Sequence, residues 1–272
     1  METKNIITLA CNIRTDIVRM LTEAGSGHLG GSLGLADIFA YLYSVALNHK
    51  PQNPNWEGRD KVVLSIGHVA PVLYASLANT GYFDRKELLQ LRKFQSRLQG
   101  HPSLDSQLPG IETSSGSLGQ GLGIAVGMAL ADKIDSIQRK IYCILGDGEL
   151  QEGSIWEAAM SASNFKLNNI IAIIDRNKCQ IDGKTEDVMK LEPLSKKWES
   201  FGWNTLECDG HHFKDIDRAF NLAKAQTNKP SVIIAHTKMG KGISEIENDY
   251  RWHGKVPNKE QSIEFIKELT NS

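Results

Sequence analysis

Short apolar segments alternating with longer amphipathic ones are the feature that most limits how this chain can fold. The clearest apolar segments are residues 61–65, 141–145, 170–174 and 231–235, with a weaker one at 204–208. Each is bounded by turn-forming or charged residues, as is typical of strands buried on both faces of a parallel sheet. Helical patterns lie between them, at residues 118–134, 154–165 and 213–226. The alternation predicts an α/β fold, a parallel sheet flanked by helices on both faces.

Periodicity also predicts the regions outside the sheet. Apolar residues recur at three- and four-residue intervals over residues 6–21, which indicates a helix with one buried face that ends by Gly25. A second helix is expected over residues 35–47, before a proline-containing loop that cannot continue it. Residues 240–272 are interpreted as a loop followed by a short helix. The length suits a single domain over residues 1–272.

Charge and hydropathy exclude two classes of protein. The chain has 31 Lys and Arg residues against 32 Asp and Glu, and the basic residues do not cluster with aromatic ones, so we expect no nucleic-acid partner. No apolar run approaches the ~20 residues that cross a bilayer, so we expect no membrane span. Residues 1–10 lack the features of a secretion signal and the four cysteines are scattered, which predicts a cytoplasmic protein with reduced thiols.

The strongest motif is Gly146-Asp147-Gly148, which directly follows the strand predicted at 141–145. Parallel sheets bind ligands at the carboxyl ends of their strands. The two glycines allow the backbone to approach a phosphate closely, and the aspartate offers an oxygen ligand to a cation. Taken alone, the motif is explained about equally well as a tight turn with a capping aspartate.

An asparagine after the next strand favours a ligand site over a simple turn. Asn177 follows the strand predicted at 170–174. Because neighbouring parallel strands end side by side, Asp147 and Asn177 could bind one ion. Mg²⁺ prefers oxygen ligands in octahedral geometry and often shares them with phosphates. The pair therefore predicts a cation site at this edge of the sheet.

Half of the eight histidines share one setting, a loop position directly beside a glycine. These four are His28, His68, His101 and His253. One loop histidine is more often solvated or a helix cap than catalytic, but four in the same setting are harder to attribute to chance. Imidazole can donate, accept or carry a proton near neutral pH, so it suits a catalytic centre. The other four histidines are interpreted as structural.

The two strand-end motifs together resemble the signature of thiamine diphosphate enzymes, Gly-Asp-Gly followed about thirty residues later by asparagine. Residues 146–153, with the sequence GDGELQEG, and the Trp-Glu-Ala segment at 156–158 narrow the resemblance to transketolases. The chain departs from the family pattern at Arg176, a position that does not bind the ion. The resemblance implies the thiamine diphosphate-binding fold, with thiamine diphosphate and Mg²⁺ or another divalent cation as cofactors.

The resemblance further implies roles for single residues. The cation would be held by Asp147, the side chain of Asn177 and the backbone carbonyl of Cys179, whose thiol would be incidental. Catalytic roles would fall to His28, His101 and His253, with His101 on a hydroxyl group of the ketose. The cofactor would contact His28, His68, Gly116, Leu118, Gly146, Asp147, Gly148, Asn177 and His253.

Two parts of this assignment have simpler readings. The Gly-x-Gly pattern in residues 113–123 follows no clear strand, so it is a weak dinucleotide motif, and its small residues would also allow close helix packing. The resemblance puts it against the aminopyrimidine ring. Glu152 and Glu157 near a helix start could be ordinary charges that favour the helix dipole. The resemblance places them at the subunit contact between paired active sites.

The resemblance covers nearly the whole chain but only the first domain of a conventional transketolase. The pyrimidine-binding domain, which supplies the glutamate that activates the cofactor and the residues that bind substrate phosphate, is missing. The chain is thus expected to be a natural subunit of a split enzyme, with a truncated piece of a longer transketolase as the alternative. The enzyme would move a two-carbon glycolaldehyde unit from a ketose phosphate to an aldose phosphate in the pentose phosphate pathway. Its partner would be a C-terminal subunit with the pyrimidine-binding domain, in a heterotetramer of two plus two.

Two other functions stay open on sequence alone. Another thiamine diphosphate enzyme, such as a deoxyxylulose phosphate synthase or an E1-type dehydrogenase subunit, would share the signature, although His101 and residues 149–157 favour a transketolase. A noncatalytic interaction subunit could also keep the fold. Retention of Asp147, Asn177 and the four loop histidines argues against that, and a cofactor-binding titration would separate the two. The sequence does not identify the sugars.

Overall fold

The computed structural model describes residues 3–271 and is built around a five-stranded parallel sheet. The strands are β1 (Lys61–Leu64), β2 (Ile141–Gly146), β3 (Ile170–Arg176), β6 (Asn204–Asp209) and β7 (Ser231–His236). Their order across the sheet is β1-β2-β3-β7-β6, and every neighbouring pair is parallel. A separate antiparallel hairpin is formed by β4 (Cys179–Gln180) and β5 (Gly183–Lys184).

Helices cover both faces of this sheet, which confirms the predicted fold class. In chain order they are α1 (Thr3–Ala24), α2 (Leu29–Gly34), α3 (Ala36–Tyr41), α4 (Ala70–Asn79), α5 (Gln120–Ile134), α6 (Gly153–Asn164), α7 (Thr185–Val188), α8 (Leu194–Ser200), α9 (Phe213–Ala225) and α10 (Lys259–Asn271). None of the helices in the described part of the chain has the length and apolar character needed to span a membrane.

The first five residues of β3, at 170–174, are all apolar because they serve two cores. Along β3, Ile171 and Ile173 pack into the core beneath α1, α3, α4, α9 and α10, whereas Ala172 and Ile174 pack into the core beneath α5, α6 and α8. Successive side chains of a strand point to opposite faces, so a strand covered on both sides needs apolar residues at every position. This is why the segment reads as a continuous apolar run.

The register of β2 and β3 fixes the position of the two strand-end motifs. Gly146 is paired with Asp175, so the residues that follow each of them leave the sheet side by side. The amide of Asp147 donates a hydrogen bond to the Asp175 carbonyl at 3.3 Å. Asp147 and Asn177 therefore lie at the same edge, as the sequence predicted.

The helix predicted over 35–47 is present to within one residue at each end, but its second half is a π-helix. α3 ends at Tyr41 and continues as a π-helical turn over Leu42–Ala46, closed by the Leu47 amide on the Leu42 carbonyl at 2.9 Å. A further helix, α2, forms directly after His28, where only a loop was expected. The helix that begins the chain ends at Ala24, as predicted, and Gly25 has a φ of 64°.

Helix α2 is not predicted by helix propensity, because it contains several glycines and glycine is a poor helix former. Their small size is needed for packing. A Cβ on Gly34 would lie 2.9 Å from the Lys238 carbonyl oxygen, and a Cβ on Gly30 would lie 2.6 Å from Met239. The loop and final helix predicted within residues 240–272 are also present, and the helix is α10, with 13 residues.

We predict that Ile173→Ala lowers the free energy of unfolding by about 2–5 kcal/mol, because it leaves a cavity at a fully buried position of the central strand. Urea denaturation followed by circular dichroism measures this change. The matched control is Ile263→Ala on α10, where the side chain is 71% exposed and the expected change is within about 0.5 kcal/mol. Equal effects of the two substitutions would contradict the two-core arrangement.

Candidate active site

One cavity, of about 400 Å³, opens at the carboxyl ends of β1, β2 and β3. It brings together nearly all of the residues that the sequence singled out. His28, His68, His101, Gly116, Leu118, Gly146, Asp147, Gly148, Glu152, Asn177, Cys179 and His253 line it. Glu157 does not line the cavity and is exposed on α6. The cofactor and catalytic roles of these residues remain predictions.

Three histidines form a tight cluster in this cavity. The ring centroids of His28 and His68 are 4.8 Å apart, those of His68 and His253 5.1 Å, and those of His28 and His253 5.5 Å. Burial, followed by the neighbouring histidines, lowers the pKa of His28 to about 4 and that of His68 to about 3. Burial also lowers the pKa of His253. The three imidazoles are therefore neutral at pH 7 and can each donate and accept one hydrogen bond.

The fourth histidine, His101, lies at the junction of two cavities. Besides the cavity described above, it lines a neighbouring polar cavity of about 650 Å³. Its ring packs against Gly116, where a Cβ would lie 3.2 Å from the imidazole and where φ is 140°. Glycine at this position therefore lets the backbone approach the His101 ring.

Asp147 is almost completely buried, with 1% of its surface exposed. Its Oδ2 accepts hydrogen bonds from the Arg176 guanidinium at 2.9 Å and from the Lys178 amide at 2.7 Å. Its Oδ1 accepts from the Gly148 amide at 2.8 Å. Burial raises the pKa of Asp147, and these donors, Arg176 foremost, oppose the rise. The geometry holds the carboxylate in one orientation at the cavity wall.

Asn177 is oriented by the strand from which it emerges. Its Nδ2 donates to Asp175 at 2.7 Å, and its Oδ1 accepts from the Cys179 amide at 2.9 Å. Asp175 is itself buried and accepts a hydrogen bond from Thr237 on its other oxygen. Burial, together with repulsion from Asp147, raises the pKa of Asp175 to about 7. Asp175 thus fixes which end of the Asn177 amide is the oxygen.

The donor set suits a hard cation rather than a soft one. Within residues 3–271, no group of three or more His, Cys, Asp and Glu side chains is placed to hold a metal ion. A cation here would therefore use one carboxylate with amide and carbonyl oxygens, which is the chemistry that Mg²⁺ accepts when phosphates complete its shell. His28 Nδ1 and Gln180 Oε1 are buried without a hydrogen-bond partner and belong to residues lining the same cavity. These features fit a ligand that brings both a cation and polar groups.

Sequence reasoning missed the importance of Arg176, which it treated only as a departure from a family pattern. Its guanidinium contacts Asp147 and, at 2.7–2.9 Å, Thr185, Glu186 and Glu192. The side chain is 1% exposed. It therefore ties the cavity wall to the segment that follows the β4–β5 hairpin. An arginine at the end of an apolar strand was the signal available in the sequence, because buried arginines are rare unless paired.

Glu149 was also missed, although it lies inside the strongest motif. Its carboxylate accepts hydrogen bonds from the Ser65 hydroxyl, from the Gly119 amide at 2.8 Å and from the Gly146 amide at 3.1 Å. It joins the ends of β1 and β2 to the start of α5. Burial raises the pKa of Glu149. We interpret Glu149 as a residue that holds the cavity wall together.

Comparison with known proteins gives a consistent result. Residues 5–270 match the family model described as the thiamine diphosphate-binding domain of transketolase. The chain is 42% identical over 257 residues to one of the subunits of the apulose-4-phosphate transketolase of Phocaeicola vulgatus, covering 94% of this chain and 91% of that one. It is also 42% identical to SqwG, a subunit of the 6-deoxy-6-sulfo-D-fructose transketolase of a Clostridium species, covering 94% of each chain.

Longer transketolases match over part of their length. Human transketolase is 41% identical over 261 residues, which are 96% of this chain and 41% of the human protein. The crystal structure of transketolase from Campylobacter jejuni superposes with a TM-score of 0.93 at 38% identity, covering the whole of this chain and 43% of that one. The chain thus spans about two fifths of the length of these longer relatives.

We expect Arg176→Gln to lower the free energy of unfolding by about 3–5 kcal/mol, since it leaves the buried Asp147 carboxylate without its cationic partner. The control is Arg218→Gln, which removes an equal charge from a surface pair with Asp215 and should change stability by less than about 1 kcal/mol. Urea denaturation of both variants without divalent cations makes the comparison. A small effect at Arg176 would mean that Asp147 does not depend on this guanidinium.

Proposed function

This chain belongs to the transketolase family as its thiamine diphosphate-binding domain, and we propose that it is one subunit of a two-chain transketolase. The observation that carries the proposal is the length of the matches. The relatives named as transketolase subunits are covered over 91% and 94% of their length, whereas the longer transketolases are covered over about two fifths. On this basis the activity is a thiamine diphosphate-dependent transfer between sugars.

The cavity supports a division of roles among its residues. Asp147, the side-chain oxygen of Asn177 and the carbonyl of Cys179 would hold Mg²⁺, and the glycines beside Asp147 would face the diphosphate. Three neutral histidines, His28, His68 and His253, have hydrogen-bonding groups for the diphosphate and the reacting atoms. Gly116 and Leu118 would support the aminopyrimidine ring.

The chemistry that bound thiamine diphosphate supplies is a nucleophilic carbon and an electron sink for breaking the C2–C3 bond of a ketose. The protein residues described here position groups and move protons. His28 and His253, neutral at pH 7, can accept a proton from a substrate hydroxyl and return it. His101 lines both cavities and would hydrogen-bond a sugar hydroxyl that extends from one cavity toward the other.

The second subunit is proposed because the relatives that this chain covers over most of their length are named as subunits. A transketolase site also needs the pyrimidine-binding domain, so the partner would contribute that half together with its catalytic glutamate. We propose a heterotetramer of two copies of each chain, with Glu152 and Glu157 near the contact between paired sites. The names of the relatives point to sugars with a phosphate or a sulfonate, and a pentose phosphate pathway role in the cytoplasm is our working proposal.

The names of the relatives favour a transketolase over the other thiamine diphosphate enzymes considered from sequence. A noncatalytic subunit that keeps the fold is the alternative that experiment must exclude. Its discriminating property is cofactor binding, because a noncatalytic chain has no need of the Asp147 and Asn177 oxygens at the cavity wall.

We predict that Asp147→Asn weakens Mg²⁺-dependent binding of thiamine diphosphate by at least about tenfold, since it removes the charged oxygen ligand but keeps a similar shape. Calorimetry on the assembled two-chain complex measures the affinity. The control is Asp182→Asn, the same substitution at an exposed position in the turn of the β4–β5 hairpin. Unchanged affinity in the Asp147 variant, with its fold verified, would remove this residue from the cation site.

We also predict that the isolated chain has no transketolase activity and gains it with the subunit that carries the pyrimidine-binding domain. Holding the reacting atoms in place contributes orders of magnitude to the rate, so half of a site should be inactive. Steady-state assays with and without the partner, alongside size-exclusion chromatography with light scattering, test activity and stoichiometry together. Robust sugar transfer by the isolated chain would refute the two-chain proposal.

A further inference from the structure

Arg92 lies beside the candidate site with a guanidinium that has no hydrogen bond or ion pair in the part of the chain that the structure describes. Its neighbours differ. Lys93 donates to Glu23 at 2.8 Å, and Arg97 forms a two-point contact with Glu87 at 2.8–3.3 Å. One exposed cation in this loop is therefore left available for a partner from outside the chain.

The backbone of Arg92 adopts an unusual conformation. Its φ is 60°, in the left-handed region that residues other than glycine rarely adopt. The conformation is held by the Arg92 amide, which donates to the Leu98 carbonyl at 2.8 Å. Such conformations often persist at ligand sites because the surrounding structure imposes them. Here the loop directs a long cationic side chain back toward the site.

The guanidinium packs against the two glycines that directly precede His28 and His101. A Cβ on Gly100 would lie 2.8 Å from the Arg92 Cζ, and a Cβ on Gly27 would lie 3.7 Å from its Nε. Gly100 must therefore lack a side chain for Arg92 to occupy this position. The positive charge of Arg92 helps to lower the pKa of His28 and of His101, after the larger effect of burial. The charge thus acts on the space that the two imidazoles face.

An unpaired guanidinium next to histidines that we propose bind the sugar suits an oxoanion. Arginine presents parallel N–H donors that match two oxygens of a phosphate or sulfonate. The substrate-phosphate residues implied by the family resemblance lie outside the thiamine diphosphate-binding domain, so a contact from this chain would be additional to them. The occupant could otherwise be a carboxylate of the second subunit, but the sugars in the names of both subunit relatives carry a phosphate or sulfonate.

We infer that Arg92 is a specificity residue that binds the terminal oxoanion of the sugar, an inference that rests on the proposed two-chain transketolase. Binding occurs on the side of His101 away from the three-histidine cluster. The terminal oxoanion of the sugar is then bound by residues of both this chain and the second subunit. Sugars with an oxoanion are then selected over unsubstituted sugars of the same chain length.

The test uses the two-chain complex loaded with thiamine diphosphate and Mg²⁺, in three versions that carry Arg92→Gln, Arg92→Lys or the control Lys93→Gln. Lys93 is in the same loop and loses the same charge, but its amine is already paired with Glu23 and the residue lines neither cavity. The KM values are measured for ribose 5-phosphate and ribose as acceptors, and for 6-deoxy-6-sulfo-D-fructose and fructose as donors. Calorimetry with ribose 5-phosphate gives its affinity without turnover.

For Arg92→Gln we expect the KM of a sugar with an oxoanion to rise by about 10-fold to 100-fold, because a charge-assisted contact is removed. The KM of its unsubstituted counterpart should change by less than about twofold. Arg92→Lys should recover part of the loss by keeping the charge, and Lys93→Gln should show no selective loss. A selective loss with either the phosphate or the sulfonate supports the inference.

Three results would overturn it: equal losses for both members of each pair, no loss at all, or weaker association of the two subunits as the main effect. The last would assign Arg92 to a partner carboxylate. If the wild-type complex binds ribose 5-phosphate through Arg92 but transfers no two-carbon unit, the proposed function fails and the inference stands. If the complex transfers two-carbon units normally but its selectivity does not depend on Arg92, the proposed function stands and the inference about Arg92 fails.

Discussion

The contact between Asp147 and Arg176 is the interaction on which the rest of the site depends. A buried carboxylate is costly unless a charge partner and hydrogen bonds compensate it. Arg176 provides that partner from the end of the central strand, and it also binds Thr185, Glu186 and Glu192. The Asp147 carboxylate is therefore held at the cavity wall by the sheet on one side and by a surface segment on the other.

The sequence predicted the parts that follow from periodicity and from adjacency in the sheet. Strands buried on both faces must be apolar at every position, so β2, β3 and β7 were recognisable. Parallel pairing then placed Asp147 beside Asn177 without any knowledge of the loops. The four loop histidines were recognised singly by their glycines, but the ring separations of about 5 Å within the cluster of His28, His68 and His253 depend on tertiary packing.

What the sequence did not predict depends on long-range contacts. In the sequence Arg176 is an isolated charge, and only the folded structure brings residues 185–192 into contact with it. Glu149 likewise resembles a surface acid in the sequence, whereas in the structure it accepts hydrogen bonds from Ser65 and the Gly119 amide. Helix α2 was missed because its glycines oppose helix formation locally. They are tolerated because Met239 and the Lys238 carbonyl pack where side chains would otherwise be. In each case tertiary structure outweighs a local preference.

The pairing of Gly146 with Asp175 has a consequence for how such a sequence can change by insertion and deletion. Side chains alternate between the faces of a sheet, so one residue added to β2 or β3 would turn every later side chain of that strand to the other core. The same slip would carry Asp147 out of reach of Asn177. Length changes are compatible with the loops between these strands and their helices, but the distance from each strand to its oxygen ligand has to stay constant. The lengths of β2 and β3 are thus tightly constrained, whereas the loops around them are not.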